Sequence, residues 1–267
     1  MFEHGIETND PNGYDRPNAF TSRPCDEVAE FIESLGFEVE RNVRRLISPL
    51  ELDIFVPEKS FAVEFNGLFY HSFKPESDIW SDRKGPDYHL TKTMRAQEVG
   101  IRLFHVFEDS WTFKTEIVKS MIRSMLGVSR RVYARNCEIV EVSKTERKTF
   151  FDLNHIQGDS PAKNALGLRL DGDLVACMTF GKSRFNKHYD WELIRFASSD
   201  LTVVGGFSKL LKAFRVKNPG SIISYADRSH SQGGVYAKNG FELTGETKGN
   251  FWYLDPSCKK RLHRSAF

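Results

Sequence analysis

The segment ELDIFVPEKSFAVEFNG at residues 51–67 constrains this chain more than any other stretch. It reads as two short strands joined by a turn at 57–60, each β-branched or aromatic at most positions. Side chains alternate faces along a strand, so Glu51 and Asp53 share one face of the first. Glu64 and Asn66 share a face of the second, with Val63 and Phe65 pointing the other way. A hairpin closed by that turn brings Asp53 and Glu64 together. Two converging carboxylates repel each other unless a cation lies between them. Hard oxygen donors of this kind suit Mg²⁺, which makes Asp53 and Glu64 candidate metal ligands. A surface hairpin with solvated acids is the other reading of the same spacing.

The flanking stretches give the hairpin a context. Residues 1–21 are rich in Asn, Asp, Pro and Gly and read as a loosely packed arm. Pro24, Asp26 and Glu27 open a helix whose apolar residues Val28, Phe31, Ile32 and Leu35 recur at helical spacing up to Gly36. Residues 37–43 alternate and predict a strand. Beyond the hairpin come LFYH at 68–71, a loop over 72–87, and a helical stretch that opens at YHLTKT and ends at Gly100. His89 and Lys92, three apart, fall on one face of that helix. Residues 101–107 then predict a strand. A helix over about 114–126 follows, carrying the stripe Ile117, Val118, Met121, Ile122 and Met125 and closed by Gly127.

ELDIFVP, AVEFNGLFYHS, YHLTKT and GIRLFHVFEDSW, in that order, resemble the PD-(D/E)XK nuclease superfamily. The branch they are most similar to is the Vsr-like one, which holds mismatch endonucleases and phage homing endonucleases of the EDxHD/EDxHK type. The resemblance spans residues 22–128. It implies a mixed central sheet and Mg²⁺-dependent cleavage of DNA phosphodiesters, with Mn²⁺ as an alternative ion. It also implies that Asp53 and Glu64 hold the metal, with Glu51 completing the site or positioning a ligand. His71 and His89 become candidates for proton transfer, and Lys92 for stabilising charge on the phosphate. Two positions depart from the family pattern. The usual lysine falls at Asn66, which can orient a water but carries no charge. The usual helix glutamate falls at or near Cys25, leaving Asp26, Glu27 or Glu30 either as substitutes or as ordinary capping and surface charges.

The second half predicts strands at 138–142, 165–170, 174–180, 191–196 and 222–225, and helices at 143–154, after Gly205-Gly206, and at 235–240 running into a further strand. This order, with VVGGFSKLL and YAKNGF, resembles the GNAT acyltransferase fold, with a further similarity to the DNA-modifying Mom-like branch. The resemblance puts Gly205 and Gly206 at a pyrophosphate-binding loop. They are adjacent where the family spaces its glycines apart, a departure that argues against acyl-CoA binding. The alternative keeps the fold and uses it to bind DNA. The chain is thus α/β (α+β): an arm at 1–21, a nuclease-like domain at 22–128, a linker at 129–136, a GNAT-like domain at 137–254 and a basic tail at 255–267.

Charge supports this division. Net charge is only +2, yet residues 1–130 carry 16 Lys and Arg against 22 Asp and Glu, while residues 131–267 carry 22 against 14. The basic half suits a polyanion, and double-stranded DNA is the expected partner. Candidate phosphate contacts are Lys74, Arg83 and Lys84 in the loop, Arg130 and Arg131 in the connector, and Lys259, Lys260 and Arg261 in the tail. Cys25, Cys137, Cys177 and Cys258 are scattered singly, as reduced thiols would be. No apolar run reaches membrane-spanning length and the N-terminus lacks an apolar core, so the expectation is a cytoplasmic protein, in a host cell if phage-encoded. The resulting expectation is a site-directed double-stranded DNA endonuclease. Its rivals are a mismatch nuclease, a DNA-modifying acyltransferase and a DNA-binding protein with a dead site. A homodimer would let single sites cut both strands.

Overall fold

The computed structural model describes residues 22–68, 87–247, 252–257 and 259–263. His71, Lys74, Arg83, Lys84 and Cys258 lie outside the described residues. The architecture is mixed α and β, with two principal mixed sheets. Helix α1 (Arg23–Ser34) carries Pro24 in its first turn and buries Cys25, Val28, Ala29 and Ile32. Strand β1 (Glu40–Val43) is shorter than its alternating sequence predicts, since Phe37 already packs into the core ahead of it. Strands β2 (Leu52–Val56) and β3 (Phe61–Asn66) form the expected hairpin around a single 3₁₀ turn, Pro57–Lys59, with Ser60 left-handed at φ 44°. Helix α2 (Tyr88–Glu98) then crosses over to β4 (Arg102–Phe107), which lies parallel to β3.

The first sheet runs in the order β1-β2-β3-β4. On one of its faces Ile54, Val56, Val63, Phe65, Phe104 and Val106 pack beneath α1. The next helices, α3 (Glu108–Phe113) and α4 (Thr115–Leu126), add Trp111, Val118, Ile122 and Leu126 to that core. On the other face Phe55, Ala62 and Leu103 meet Ala96 of α2. Glu64, Asn66 and His105 share this second face by alternation, which directs them toward α2.

Strand β5 (Arg131–Tyr133) occupies the stretch expected to be a linker. It pairs in parallel with β10 (Thr202–Val204), and Val132 packs into the second core, so these residues are part of the fold. Strand β6 (Glu138–Glu141) follows, then α5 (Lys144–Asn154), whose cap Ser143 accepts from the Glu146 amide at 3.2 Å. Strands β7 (Asn164–Leu170), β8 (Asp173–Gly181) and β9 (Trp191–Ser198) form an antiparallel meander. Helix α6 (Gly206–Lys217) leads to β11 (Ile222–Ser224), which runs parallel to β9 and completes the order β11-β9-β8-β7-β6. A short α7 (Gly234–Ala237) follows, but residues 241–247 form no strand, unlike the sequence expectation. Strands β12 (Trp252–Leu254) and β13 (Arg261–His263) pair as a small antiparallel ribbon.

The two halves are bonded together. The β4 edge is covered by the second half, where the His105 amide donates to the Ser229 carbonyl at 2.8 Å. Arg123 makes a two-pronged contact with Asp200 at 2.7 and 3.1 Å. Lys114 donates to the Ile156 carbonyl, and Ile156 packs against the first core. His155 sits beside this junction and takes the Gln157 amide on Nδ1 at 3.1 Å. Burial lowers its pKa from 6.5 to about 3, with Arg195, His230 and Lys114 adding to the effect and Asp227 opposing it. Because the folded value lies below the unfolded one, the unfolded chain binds the extra proton between these limits. Stability therefore falls as pH drops from 6.5 toward 3. Replacing His155 with Asn is expected to flatten the fall in melting temperature between about pH 6.5 and 4.5. A curve as steep as that of the parent would assign the acid sensitivity to other groups.

Candidate active site

The hairpin register, with Ile54 opposite Val63, places Asp53 opposite Glu64 one step further on. Asp53 Oδ2 accepts the Phe65 amide at 2.8 Å, which fixes the carboxylate across the hairpin. Helix α2 supplies a cation. The Lys92 ammonium donates to Glu64 Oε2, and the two side chains are 1% and 3% exposed. Burial alone would push the Lys92 pKa down, but Glu64 and Asp53 outweigh it and hold the ammonium above its ordinary value. Burial raises the Asp53 pKa; Lys92 and the Phe65 amide oppose this without cancelling it, and Glu51 adds to the rise. The hairpin thus brings the two carboxylates to neighbouring positions, and a lysine bonds Glu64 and acts on Asp53 through its charge.

A second chain of hydrogen bonds adjoins the first. The Thr93 hydroxyl donates to the His89 carbonyl at 2.8 Å, so its oxygen is free to accept from His105 Nε2 at 2.8 Å. That makes Nε2 the protonated nitrogen and leaves Nδ1 to accept the Asn66 amide at 3.3 Å. Burial, with His89 and Lys92 nearby, lowers the His105 pKa to about 3, so the ring is neutral at pH 7. The Asn66 amide group therefore faces His105, and its Oδ1, fully buried, has no hydrogen-bond partner among the described residues. A buried carbonyl oxygen without a donor is costly unless a ligand completes it. His89 stands edge-on to His105 and Phe107, with centroids 5.5 and 6.0 Å apart.

Other expected residues fall elsewhere. Glu51 is held by Arg44 at 2.8 Å and touches the site only through its charge on Asp53. Asp26 pairs with Arg41, Glu27 accepts the Trp111 indole at 2.9 Å, and Glu30 faces solvent. Cys25 is the residue of α1 that feels Asp53 and Glu64; burial first, then Asp53 and Asp26, push its thiol up to about 12. Cys137 and Cys177 are likewise free and buried. Gly205 is left-handed at φ 77° and caps α6, and a Cβ on Gly206 would meet Val203 at 3.0 Å. Turn geometry and packing thus account for both glycines. Arg130, Arg131, Lys259 and Lys260 remain exposed.

Arg261 is committed internally. Its guanidinium and amide bond Asp109 at 3.0–3.1 Å, it donates to Ser110 at 3.0 Å, and it stacks 3.7 Å over Phe107. This docks the C-terminal ribbon beside the ring that contacts His89. Arg261→Ala is expected to destabilise the protein by about 2–4 kcal/mol, since it strands a largely buried aspartate. Limited proteolysis should then cut the ribbon first, and unchanged protection would deny the clamp its role.

Among the described residues, no cluster of three or more His, Cys, Asp or Glu has the arrangement to hold a metal ion. The available donors are the Asp53 and Glu64 carboxylates and the unpartnered Asn66 oxygen, a hard oxygen set that fits a divalent cation such as Mg²⁺. The sequence reading did not single out His105 or Thr93. A polar residue in an apolar strand, opposite Glu64 across a parallel crossover, is the signal that marks His105.

No family model matches the chain, and no curated protein matches it. Among solved structures, it is similar to the Homing Endonuclease I-Bth0305I Catalytic Domain, at 15% identity over 39% of this chain and 94% of that one, with a TM-score of 0.30. A likeness this slight leaves the functional reading to the geometry of the site. No helix among the described residues is long and apolar enough to cross a membrane.

Proposed function

We propose that this chain is a Mg²⁺-dependent, site-directed endonuclease of double-stranded DNA, related in kind to homing endonucleases. The observation that carries the reading is the buried set Asp53, Glu64 and Lys92, with the unfilled Asn66 oxygen beside it. Buried carboxylates and a lysine on one sheet face are the groups that phosphodiester hydrolysis needs: oxygens for a cation and a positive charge for the phosphate. Asp53, Glu64 and Asn66 Oδ1 would hold the ion, which when bound would lower the pKa of a water and screen the phosphate. Lys92 would stabilise negative charge growing on the phosphoryl oxygens. His89 would serve as the proton carrier, its ring edge-on to His105 of the Thr93–His105–Asn66 chain. His71 retains its sequence-based candidacy for the same role.

The second half would then supply the targeting surface. Its topology ends in a parallel pair, β9 with β11, in an otherwise antiparallel sheet, and this supports the GNAT-like reading of the fold. A second function, DNA binding without cleavage, is favoured by Cys25, a neutral thiol in place of a helix carboxylate. The deciding experiment is cleavage of plasmid and phage DNA with and without Mg²⁺, comparing the chain with Asp53→Ala. Metal-dependent nicking or linearisation that the variant lacks is the expected result. Retained DNA binding with no cutting of any substrate would sink the endonuclease reading in favour of the second.

A further inference from the structure

The loop joining β8 to β9, residues 182–190, is an exposed segment tied down by its own hydrogen bonds. Ser183 is buried and its hydroxyl donates to the Asn186 carbonyl at 2.6 Å. Lys187 returns to the Ser183 carbonyl at 3.0 Å, and the His188 amide donates to Asn186 Oδ1 at 3.1 Å. Glu192, only 1% exposed, accepts from the Arg184 amide at 3.0 Å and from its guanidinium at 2.5 and 3.1 Å. A buried carboxylate thus pins the loop from below.

The pinned loop presents Phe185, which is 70% exposed. The ring stands edge-on to Tyr225, itself 41% exposed, with centroids 5.8 Å apart, and Arg184 lies 5.5 Å over it. Exposing most of a phenylalanine forgoes part of the roughly 1.5–3 kcal/mol that burying such a side chain contributes. A rigid loop that does so presents a surface for contact. The loop and the residue ahead of β7 also carry lysines. Lys182 and Lys163 are exposed and lie 4.5 and 5.6 Å over the Trp191 ring, and Lys187 is exposed as well. The one acid of the loop, Asp190, is taken up by the amide and hydroxyl of Ser221 at 2.9 and 3.0 Å.

We infer that this loop is a stacking platform for an unpaired nucleotide of single-stranded nucleic acid, with Phe185 under the base and Lys182 and Lys187 toward the flanking phosphates. A duplex hides its base faces, so an exposed ring between lysines suits a strand whose bases are unstacked. The inference goes beyond the endonuclease reading and stands without it, since it needs no chemistry at the first sheet.

The test is fluorescence anisotropy of the full chain with a labelled oligothymidine and with a duplex, both in chelator so that no strand is cut. The parent should bind the single strand more tightly than the duplex. Phe185→Ala should weaken single-strand binding by about tenfold, with duplex binding and melting temperature unchanged. Phe185→Leu, which keeps apolar bulk without a π face, should weaken it nearly as much. Lys182→Ala should lower the slope of log affinity against log salt by about 0.7. Unchanged single-strand affinity in both Phe185 variants would overturn the inference, as would binding to duplex alone. So would equal, Phe185-dependent binding to polyglutamate, which would mark an acidic protein partner. Because cleavage is read separately through Asp53, loss of one reading leaves the other intact.

Discussion

Replacing Lys92 with methionine is expected to destabilise the protein by about 3–5 kcal/mol near pH 7. Methionine keeps the length and the packing but removes the charge. Glu64 then loses the ammonium it is bonded to and Asp53 the charge beside it, and Glu64 is 2% exposed. Removing one member of a buried ion pair strands the other, and that penalty exceeds the net worth of the pair. The pH dependence gives a further check. Asp53, already held above its ordinary pKa by burial, loses the Lys92 charge that opposed the rise, so its protonated form favours folding. The deficit of the variant should shrink as pH falls from about 7 to 5. Millimolar Mg²⁺ should restore part of the lost melting temperature, since an external cation would take the place of the ammonium. Urea melts at two pH values with and without the ion would measure all of this. A variant as stable as the parent at pH 7 would show that the pair contributes nothing.

Asp53→Asn should have the opposite effect on stability and the largest effect on activity. The Asp53 carboxyl is held above its ordinary pKa by burial and by Glu51, so ionising it at pH 7 opposes folding. Asparagine keeps an oxygen to accept the Phe65 amide but removes that charge. The sign is clear: with a folded pKa above the unfolded one, the acid weakens the fold as pH rises above its ordinary carboxylate value. The variant should therefore melt at the same temperature as the parent or a few degrees higher at pH 7. Metal-dependent DNA cleavage, if this carboxylate holds the ion, should fall by about 10³-fold or more. A site that loses activity while gaining stability is one whose charge is retained for function. Cleavage within tenfold of the parent would move the chemistry away from the hairpin.

Much of this arrangement was legible in the residues, for reasons that can be stated. The hairpin was readable because period-two alternation with a Pro-containing turn admits few registers, and the register decides which acids meet. His89 and Lys92 were readable because helical spacing puts positions three apart on one face, although spacing could not say that Lys92 would lie on Glu64. His105 was missed because it joins the site through the parallel pairing of β3 and β4, and Thr93 because it meets His105 from α2, contacts that no local pattern encodes. Strand β5 was read as a connector because three residues among arginines show too little periodicity, and only its partner β10 makes it a strand. Arg261 looked like a phosphate contact because composition records a charge but not which carboxylate has taken it up.

The covered edge of β4 has a consequence for how the chain can be divided. A strand at the rim of a sheet is a template for any other chain with unpaired backbone, and here the Ser229 carbonyl meets the His105 amide. A fragment ending near residue 128 would lack that cover together with the Arg123 and Lys114 ties. Such a fragment should associate with its own copies through the open rim, however well it retains its helices. The two halves look like interchangeable modules along the sequence, but in space each finishes the other, and exchanging one for a foreign partner would require re-making this seam as well as choosing a linker.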